Sequence, residues 1–312
     1  MKTKAELPRI EDESQAFDRR IEERVAAGFV PDLRRAVKCD YFYKSFWRDP
    51  HYINLYLGRV LEIFLGLLKK YCKPGASILD VGCGAGYFSL ELARNGYHVQ
   101  GIDISESCIQ TARRTLDENP FRAGFGSLEY RVSEFSKAAG DYDIVLFSGS
   151  LHHMPDLYGA TEHAATILQR GGNVLCYEPW HDRWQKRDAA QVALIRGLLA
   201  IVGHWYSQEE DHLLHDERGL EVLTNEVYDE FTFERDKNES DGQSPRDNVW
   251  SGGQILSALD DRFTALETRP GPSFIYRLLG GIRGNDSTIY RLADLLAAYD
   301  QFSVANGYLN PE

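Results

Sequence analysis

The chain contains the run Ile78-Leu79-Asp80-Val81-Gly82-Cys83-Gly84-Ala85-Gly86, an apolar segment that leads into three glycines at alternate positions. The apolar residues Ile78, Leu79 and Val81 predict a strand that is buried on both faces. The glycines predict a sharp turn at which a ligand can approach the main chain closely. Helical spacing resumes at Phe88, so the run predicts a strand, a turn and a helix whose N-terminus faces the turn.

Two acidic residues distinguish this turn from other glycine-rich turns. Nicotinamide and flavin enzymes also carry such turns, but Tyr87 stands where their pattern G-x-G-x-x-G has its third glycine. Asp80 precedes the first glycine, and Asp103 ends a second predicted strand. In nucleotide-binding folds of this kind, an acid about 20 residues after the turn accepts hydrogen bonds from ribose hydroxyls.

The pattern D-x-G-x-G-x-G with its distant acid resembles the class I S-adenosylmethionine-dependent methyltransferases of the small-molecule type. The resemblance covers residues 40–180 and continues, in that family's order and spacing, through Glu129-Tyr130-Arg131-Val132-Ser133-Glu134, Tyr142-Asp143-Ile144-Val145-Leu146-Phe147-Ser148, Leu151-His152-His153-Met154-Pro155-Asp156 and Leu168-Gln169-Arg170-Gly171-Gly172-Asn173-Val174-Leu175. It implies a transferase whose cofactor is S-adenosylmethionine and whose product is S-adenosylhomocysteine. It also implies a Rossmann-like, doubly wound α/β fold with a mostly parallel sheet of the seven-stranded type.

The order of predicted elements agrees with this fold, because alternating strands and helices give a parallel sheet with helices on both faces. Strands are predicted at 77–81, 98–103, 128–132, 142–147 and 172–178, and helices at 52–71, 87–95, 105–117, 157–169, 181–205, 250–259 and 287–304. A sixth strand is predicted at 263–268, and only 272–278 resembles a seventh. The last strand is therefore expected to be short, displaced or absent.

Four parts of the chain are predicted to have different roles. Residues 1–72 form a helical N-terminal extension and cofactor lid, and residues 73–180 form the cofactor-binding core. An insertion after the fifth strand, 181–250, is expected to cover the substrate, with short helices and a flexible stretch near 236–248. Residues 251–312 complete the core. Phe17, Ile21 and Val25 predict an amphipathic helix in the extension, which we interpret as a solvated surface helix.

The resemblance assigns cofactor-binding roles to particular residues. Backbone atoms of the glycine turn would contact the methionine tail and the ribose, and Asp80 would hold the amino group. Asp103 would accept both ribose hydroxyls, Ile104 would pack on adenine, and Glu134 would accept from the adenine amino group. The full predicted set is Asp80, Gly82, Cys83, Gly84, Asp103, Ile104, Glu134, Phe135 and Ser148.

Two consecutive histidines, His152 and His153, are the candidate general bases. Methyl transfer needs alignment and exclusion of water more than a protein nucleophile, but an acceptor that loses a proton benefits from a base. We prefer His153, because the second position often faces the cleft in related sequences; the alternative is that both histidines only shape their loop. Candidate substrate contacts are Tyr43, Trp47, Glu178, His181 and Trp184.

Composition limits the partners that are expected. A formal net charge of −12 argues against nucleic acid. No carboxylate cluster with metal-ligand spacing is evident, and the longest apolar stretch, 192–202, is too short to span a bilayer. A charged N-terminus without a secretory apolar core favours a cytoplasmic enzyme. A homodimer stays open, as do two other functions: different chemistry with a sulfonium cofactor, or a non-catalytic protein that binds S-adenosylmethionine.

Overall fold

The computed structural model describes residues 9–39, 45–207, 216–233, 244–246 and 249–312. The chain divides into two compact units. The first unit consists of Met1–Ala36, Val60–Pro179 and Gln243–Leu266, and the second of Val37–Arg59, Trp180–Gly242 and Glu267–Glu312. The segment predicted as one extension, residues 1–72, is therefore shared between the two units.

The first unit contains a parallel sheet of five strands. They are β1 Ser77–Val81, β2 His98–Asp103, β3 Ser127–Val132, β4 Tyr142–Ser148 and β5 Leu168–Tyr177. Their order is β3-β2-β1-β4-β5, and all neighbouring pairs are parallel. The order reverses between β1 and β4, which is where ligands bind in open sheets of this kind. The doubly wound α/β fold is confirmed, whereas seven strands are not, since the described residues form five.

Helices cover both faces of this sheet. The helices of the first unit are α1 Ile10–Ala26, α3 Arg59–Tyr71 apart from its first residue, α4 Tyr87–Arg94, α5 Glu106–Asp117, α6 Leu157–Ile167 and α9 Gly252–Asp260. On one face, Val81 and Phe147 pack with residues of α6 and α9. On the other, Ile109 of α5 packs with Tyr130. The apolar run of β1 is fully buried between these layers, as predicted.

The predicted N-terminal helix exists as α1, but its interpretation as a solvated surface helix is wrong. Ala16 and Ile21 are buried. Oδ1 of Asp18 accepts hydrogen bonds from Ser105 Oγ at 2.6 Å and from Ser107 N at 3.0 Å. Asp18 therefore helps to cap the N-terminus of α5. These long-range contacts, which the helical spacing of α1 does not reveal, attach the helix to the N-terminus of α5.

A buried ion cluster attaches the segment after α1 to α4. The guanidinium of Arg94 binds both carboxylate oxygens of Asp32 at 2.7 Å, and it also contacts Glu91 and Asn119. The side chains of Arg94, Asp32 and Glu91 are between 0% and 3% exposed. Burial of three charges is tolerated here because each is hydrogen-bonded to an opposite charge.

The second unit is helical within the residues that the structure describes. Its helices are α2 Pro50–Ile53, α7 Lys186–Ile201, α8 Glu217–Phe233, α10 Ile275–Leu279 and α11 Asp286–Ala305, and a π-helical turn, Asn54–Gly58, follows α2. Trp184 stacks on Phe231 with ring centroids 4.7 Å apart. These rings belong to an apolar core that also includes Val192 and Leu223.

The predicted sixth strand is wrong, and the segment that resembled a seventh is not a strand. Residues 263–268 form no strand, and 272–278 runs into the short helix α10 instead. The carboxylate of Asp300 accepts the backbone N–H groups of Ser273, Phe274 and Ile275, which starts a helical turn there. In the predicted insertion, α8 is a 17-residue helix rather than several short ones. Most of the stretch predicted to be flexible lies outside the described residues.

Candidate functional site

The glycine turn after β1 forms a cradle at the carboxyl end of the sheet. Gly82 and Gly84 have positive φ angles of 68° and 53°, which side-chain-bearing residues rarely adopt. A Cβ at Gly82 would lie 2.6 Å from the Cβ of Ser150, so only glycine permits this approach. A Cβ at Gly84 would meet no atom within 4 Å. The backbone at Gly84 therefore borders open space.

Asp103, the last residue of β2, faces this cradle. Its Oδ2 accepts the N–H of Gly84 at 2.8 Å, and its Oδ1 accepts the N–H of Ser105 at 2.8 Å. Burial raises the pKa of Asp103 above its usual value, although these two N–H groups and His153 partly offset that rise. Each carboxylate oxygen can accept more than one hydrogen bond, so both oxygens can still bind a ligand hydroxyl.

A cavity of about 360 Å³ lies at the carboxyl ends of β1, β2 and β4. Its volume is within the range of pockets for small ligands. Seven residues predicted to form the site line it: Gly82, Gly84, Asp103, Ile104, Glu134, Phe135 and His153. Its apolar lining residues include Ile104, Phe135 and Ala160. The structure therefore brings most of the predicted cofactor set and one candidate base into a single pocket.

Three predicted cofactor residues lie next to the cavity without lining it. Asp80 is buried and accepts a hydrogen bond from Ser89 Oγ at 2.5 Å. Burial, with a smaller contribution from the charge of Asp103, raises the pKa of Asp80 to about 7. Cys83 is also buried, and Ser148 ends β4. Gly149 and Ser150, which follow Ser148, line the cavity.

His153 is held at the cavity by a carboxylate from α1. Its Nδ1 lies 2.9 Å from Oε1 of Glu13 and 3.3 Å from Oγ of Ser244. The ring of Phe17 meets the imidazole edge to face, with centroids 5.6 Å apart. Burial raises the pKa of Glu13, but the hydrogen bonds from His153 and Ser244 lower it by more. The pKa of Glu13 therefore lies below its usual value.

His152 makes a different pair and, within the described part of the chain, does not line the cavity. Its Nδ1 lies 2.5 Å from Oε2 of Glu178. Oε1 of Glu178 accepts the N–H groups of Ser150 and Leu151 at 2.9 and 2.8 Å. Burial raises the pKa of Glu178, but His152 and these N–H groups lower it more, to below its usual value.

The other predicted substrate residues belong to the second unit or lie outside the described residues. Trp47 is buried in a short 3₁₀ turn beside Phe46. Nδ1 of His181 lies 3.0 Å from Oε1 of Glu312, and Trp184 is part of the apolar core of that unit. Tyr43 lies outside the described residues. Contact of these side chains with a substrate stays a prediction.

The cavity is also lined by residues that were not predicted as site residues, among them Ile10, Glu13, Phe17 and Arg246. Three of them lie on α1, and Arg246 is separated from the glycine turn by more than 150 residues of sequence. The helical spacing of Phe17 with Ile21 and Val25 was the available signal, and it indicated only that the helix has an apolar face.

Two properties of the described residues concern metals and membranes. Among them, no group of three or more His, Cys, Asp or Glu side chains is arranged to hold a metal ion. No helix in the described ranges combines the length and the apolar character needed to cross a lipid bilayer.

Comparison with known proteins decides the family. A family model described as a methyltransferase domain matches residues 51–225, more than half of the chain. The chain belongs to this methyltransferase family. The resemblance to class I S-adenosylmethionine-dependent methyltransferases, with S-adenosylmethionine as cofactor, is therefore confirmed.

Curated methyltransferases share part of this sequence. The ubiquinone biosynthesis O-methyltransferase of Acinetobacter baylyi is 35% identical over 134 residues, which are 41% of this chain and 55% of the relative. The protein of the same name from Aromatoleum aromaticum is 36% identical over 101 residues, 32% of this chain and 42% of the relative. The chain spans about half the length of the curated relatives it matches.

Solved structures resemble the methyltransferase more distantly. Magnesium protoporphyrin IX methyltransferase from Synechocystis with bound S-adenosylhomocysteine is 19% identical, with a TM-score of 0.41, and the match covers 69% of this chain and 75% of that one. The [4+2]-cyclase SpnF is 15% identical, with a TM-score of 0.48, and the match covers 95% of this chain and 83% of that one.

Proposed function

We propose that this methyltransferase transfers a methyl group from S-adenosylmethionine to an oxygen, nitrogen or sulfur atom of a small-molecule acceptor, with His153 as general base. The observation that supports this proposal most strongly is that Asp103 and His153 line one cavity at the carboxyl ends of the central strands. A carboxylate suited to a ribose and an imidazole suited to a proton are therefore within one pocket.

The residues of the cavity fit the cofactor. Open space at Gly84 leaves room for a ligand beside the main chain, and Asp103 retains acceptor capacity on both oxygens. Ile104 and Phe135 provide an apolar wall for adenine, and Glu134 would accept from its amino group. Asp80, which is buried just before the turn, would hold the methionine amino group through hydrogen bonds or water.

His153 would serve as the proton acceptor. When bound, S-adenosylmethionine supplies a methyl group whose carbon bonds to the acceptor's lone pair while the electrons of its carbon–sulfur bond stay on sulfur. The acceptor's proton passes to the imidazole and then to solvent, so charge is conserved. Phe17 and Met154 line the cavity close to this imidazole in the fold and help to exclude water from it.

His152 is proposed to position the loop rather than to take the proton. Its ring is buried and bound to Glu178, whereas His153 lines the cavity. Oxygen is the first acceptor atom to test, since the curated relatives are named O-methyltransferases.

Transfer of isotope tests the proposal directly. The protein is incubated with methyl-tritiated S-adenosylmethionine and a panel of small phenols, amines and thiols, and the products are separated and counted. Label is expected in a methylated acceptor. The variant His153→Ala is expected to transfer label about 100-fold more slowly, as for loss of a general base, while its affinity for S-adenosylhomocysteine changes less than about twofold.

Two outcomes contradict the proposal. Absence of label from every product, in protein that binds S-adenosylhomocysteine, favours other sulfonium chemistry or a non-catalytic role in binding the cofactor. Full turnover by His153→Ala would contradict the role of His153 as base but not the proposal of methyl transfer. The oligomeric state is measured separately by sedimentation, since a homodimer remains a proposal.

A further inference from the structure

We infer that Glu13, on the N-terminal helix α1, is a positioning residue that fixes the orientation and tautomer of His153 and stabilises its protonated form. The inference rests on the proposed role of His153 as base. It concerns a residue from a part of the chain that lies before the cofactor-binding core and that carries no motif of the family resemblance.

The carboxylate of Glu13 is buried and fully engaged. Its side chain is 2% exposed. Oε1 lies 2.9 Å from Nδ1 of His153 and accepts a hydrogen bond from Ser244 Oγ at 2.6 Å, and Oε2 accepts the N–H of Arg246 at 3.0 Å. This carboxylate therefore joins three segments: α1, the loop after β4 and residues 244–246.

The position of this carboxylate is set by how α1 is attached. Ser14 Oγ donates to the carbonyl oxygen of Ile104 at 2.9 Å, one residue after Asp103. Asp18 binds Ser105 at the start of α5, and Phe17 packs against the imidazole of His153. Residues that follow Glu13 on α1 are thus held against residues 104–105 and against His153, so its carboxylate approaches His153 from a fixed direction.

This geometry determines which nitrogen is basic. A carboxylate within hydrogen-bond distance of Nδ1 favours the tautomer with its proton on Nδ1, which places the basic lone pair on Nε2. When the acceptor loses its proton, the bond between the acceptor atom and hydrogen breaks and a bond from Nε2 to hydrogen forms. The imidazolium that results lies beside the anionic carboxylate, which lowers the cost of forming it.

Other charged groups near this imidazole also affect its protonation. Glu13 is ionised at neutral pH, because its hydrogen bonds lower its pKa despite burial. The imidazole of His152 lies next to that of His153, with ring centroids 3.9 Å apart, and Asp103 interacts with His153 electrostatically. Among the described residues, the other charged or titratable side chains that line the cavity are Cys108, Glu134, Asp156, His163 and Arg246. Of the carboxylates, Glu13 is the one within hydrogen-bond distance of the ring in the described structure.

Titration of His153 by nuclear magnetic resonance tests the inference without an acceptor. The ring carbon–hydrogen resonance is assigned by its loss in His153→Gln and followed with pH in protein saturated with S-adenosylhomocysteine. In Glu13→Gln, the pKa of His153 is expected to fall by about one unit or more, as for loss of an adjacent opposite charge. The matched control Glu11→Gln removes the same charge from an exposed position on the same helix. It is expected to leave the pKa of His153 unchanged.

A second variant and a kinetic readout separate positioning from folding. If Glu13→Gln does not fold, Glu13→Asp tests the same point, since its shorter side chain keeps the charge but withdraws it from Nδ1; a smaller fall in the pKa is expected. The rate of methyl transfer to a phenol acceptor is also measured as a function of pH. In either variant, the acid limb of this pH profile should shift to lower pH. An unchanged His153 titration in a folded variant would overturn the inference, whereas absence of label with wild-type protein would instead count against the proposed function.

Discussion

Nδ1 of His152 lies 2.5 Å from Oε2 of Glu178, and both side chains are buried. Glu178 follows β5, and His152 follows the neighbouring strand β4. Oε1 of the same carboxylate accepts the N–H groups of Ser150 and Leu151. One carboxylate therefore fixes the loop that continues into His153. Glu178 thus supports a residue that lines the cavity, although it does not line the cavity itself.

Replacement of Glu178 should cost stability in a pH-dependent way. Glu178→Gln places an amide N–H₂ donor where a carboxylate oxygen accepted hydrogen bonds. The loss of hydrogen bonds to a charged group is expected to destabilise the protein by about 2–3 kcal/mol at pH 7. Because the pKa of Glu178 is lowered in the folded state, its contribution is present above the usual carboxylate pKa and is lost as pH falls below it.

Urea unfolding at pH 7 and at pH 4 measures this difference. The loss caused by Glu178→Gln is expected to be larger at pH 7 than at pH 4. The control Glu118→Gln changes an exposed glutamate and should alter stability by less than about 0.5 kcal/mol. Equal losses at both pH values would show that the charge of Glu178 does not stabilise the loop.

Asp80 should give the opposite dependence on pH. Its pKa is raised to about 7 by burial, so the folded state binds this proton more tightly than the unfolded state does. Asp80 therefore contributes stability that is present below pH ~4 and is lost as pH rises toward 7. Asp80→Asn keeps an acceptor for Ser89. Its free energy of unfolding relative to wild type is expected to rise by on the order of 3 kcal/mol across that interval.

The measurement compares urea unfolding of the two proteins without cofactor at several pH values. The difference between them should grow from pH 4 to pH 7 and then level off. The exposed control Asp117→Asn should change stability by less than about 0.5 kcal/mol at each pH. A constant difference between Asp80→Asn and wild type would contradict the raised pKa.

The buried cluster around Arg94 should contribute strongly to stability. Arg94→Met leaves the carboxylates of Asp32 and Glu91 buried without their common partner, which is expected to cost about 3–5 kcal/mol in the free energy of unfolding. The control Arg131→Met removes an arginine from an exposed pair with Glu129 and is expected to leave the unfolding midpoint unchanged. If both variants unfold at the same denaturant concentration, the cluster does not hold the N-terminal segment as described.

The sequence was sufficient to predict the five parallel strands of the sheet and the place of Asp103 at the end of β2. Central parallel strands are buried on both faces, so they appear as apolar runs such as 78–81, and the bounds of β1 and β2 agree with the prediction. The strand predicted at 263–268 is not formed, and the segment 272–278, which resembled a last strand, begins a helix because Asp300 binds its backbone. Tertiary hydrogen bonds outweigh local preference in such short segments.

The role of α1 could not be predicted for a related reason. Glu13 and His153 are separated by 140 residues, and nothing in the spacing of Glu13 distinguishes it from the other acids of a polar helix. His152 and His153 are adjacent in sequence, yet one is bound to Glu178 and the other to Glu13. Their different surroundings depend on the packing of three segments, which a single sequence without the fold does not display.

The binding of S-adenosylhomocysteine by wild-type protein and by Asp103→Ala, measured by isothermal titration calorimetry, tests the central claim most directly. We expect one molecule bound per chain and a loss of about 100-fold in affinity for Asp103→Ala, or about 2.7 kcal/mol, with Asp117→Ala as an exposed control. Wild-type protein that does not bind S-adenosylhomocysteine, or an Asp103→Ala variant that binds it as tightly as wild type, would contradict the assignment of this cavity to the cofactor.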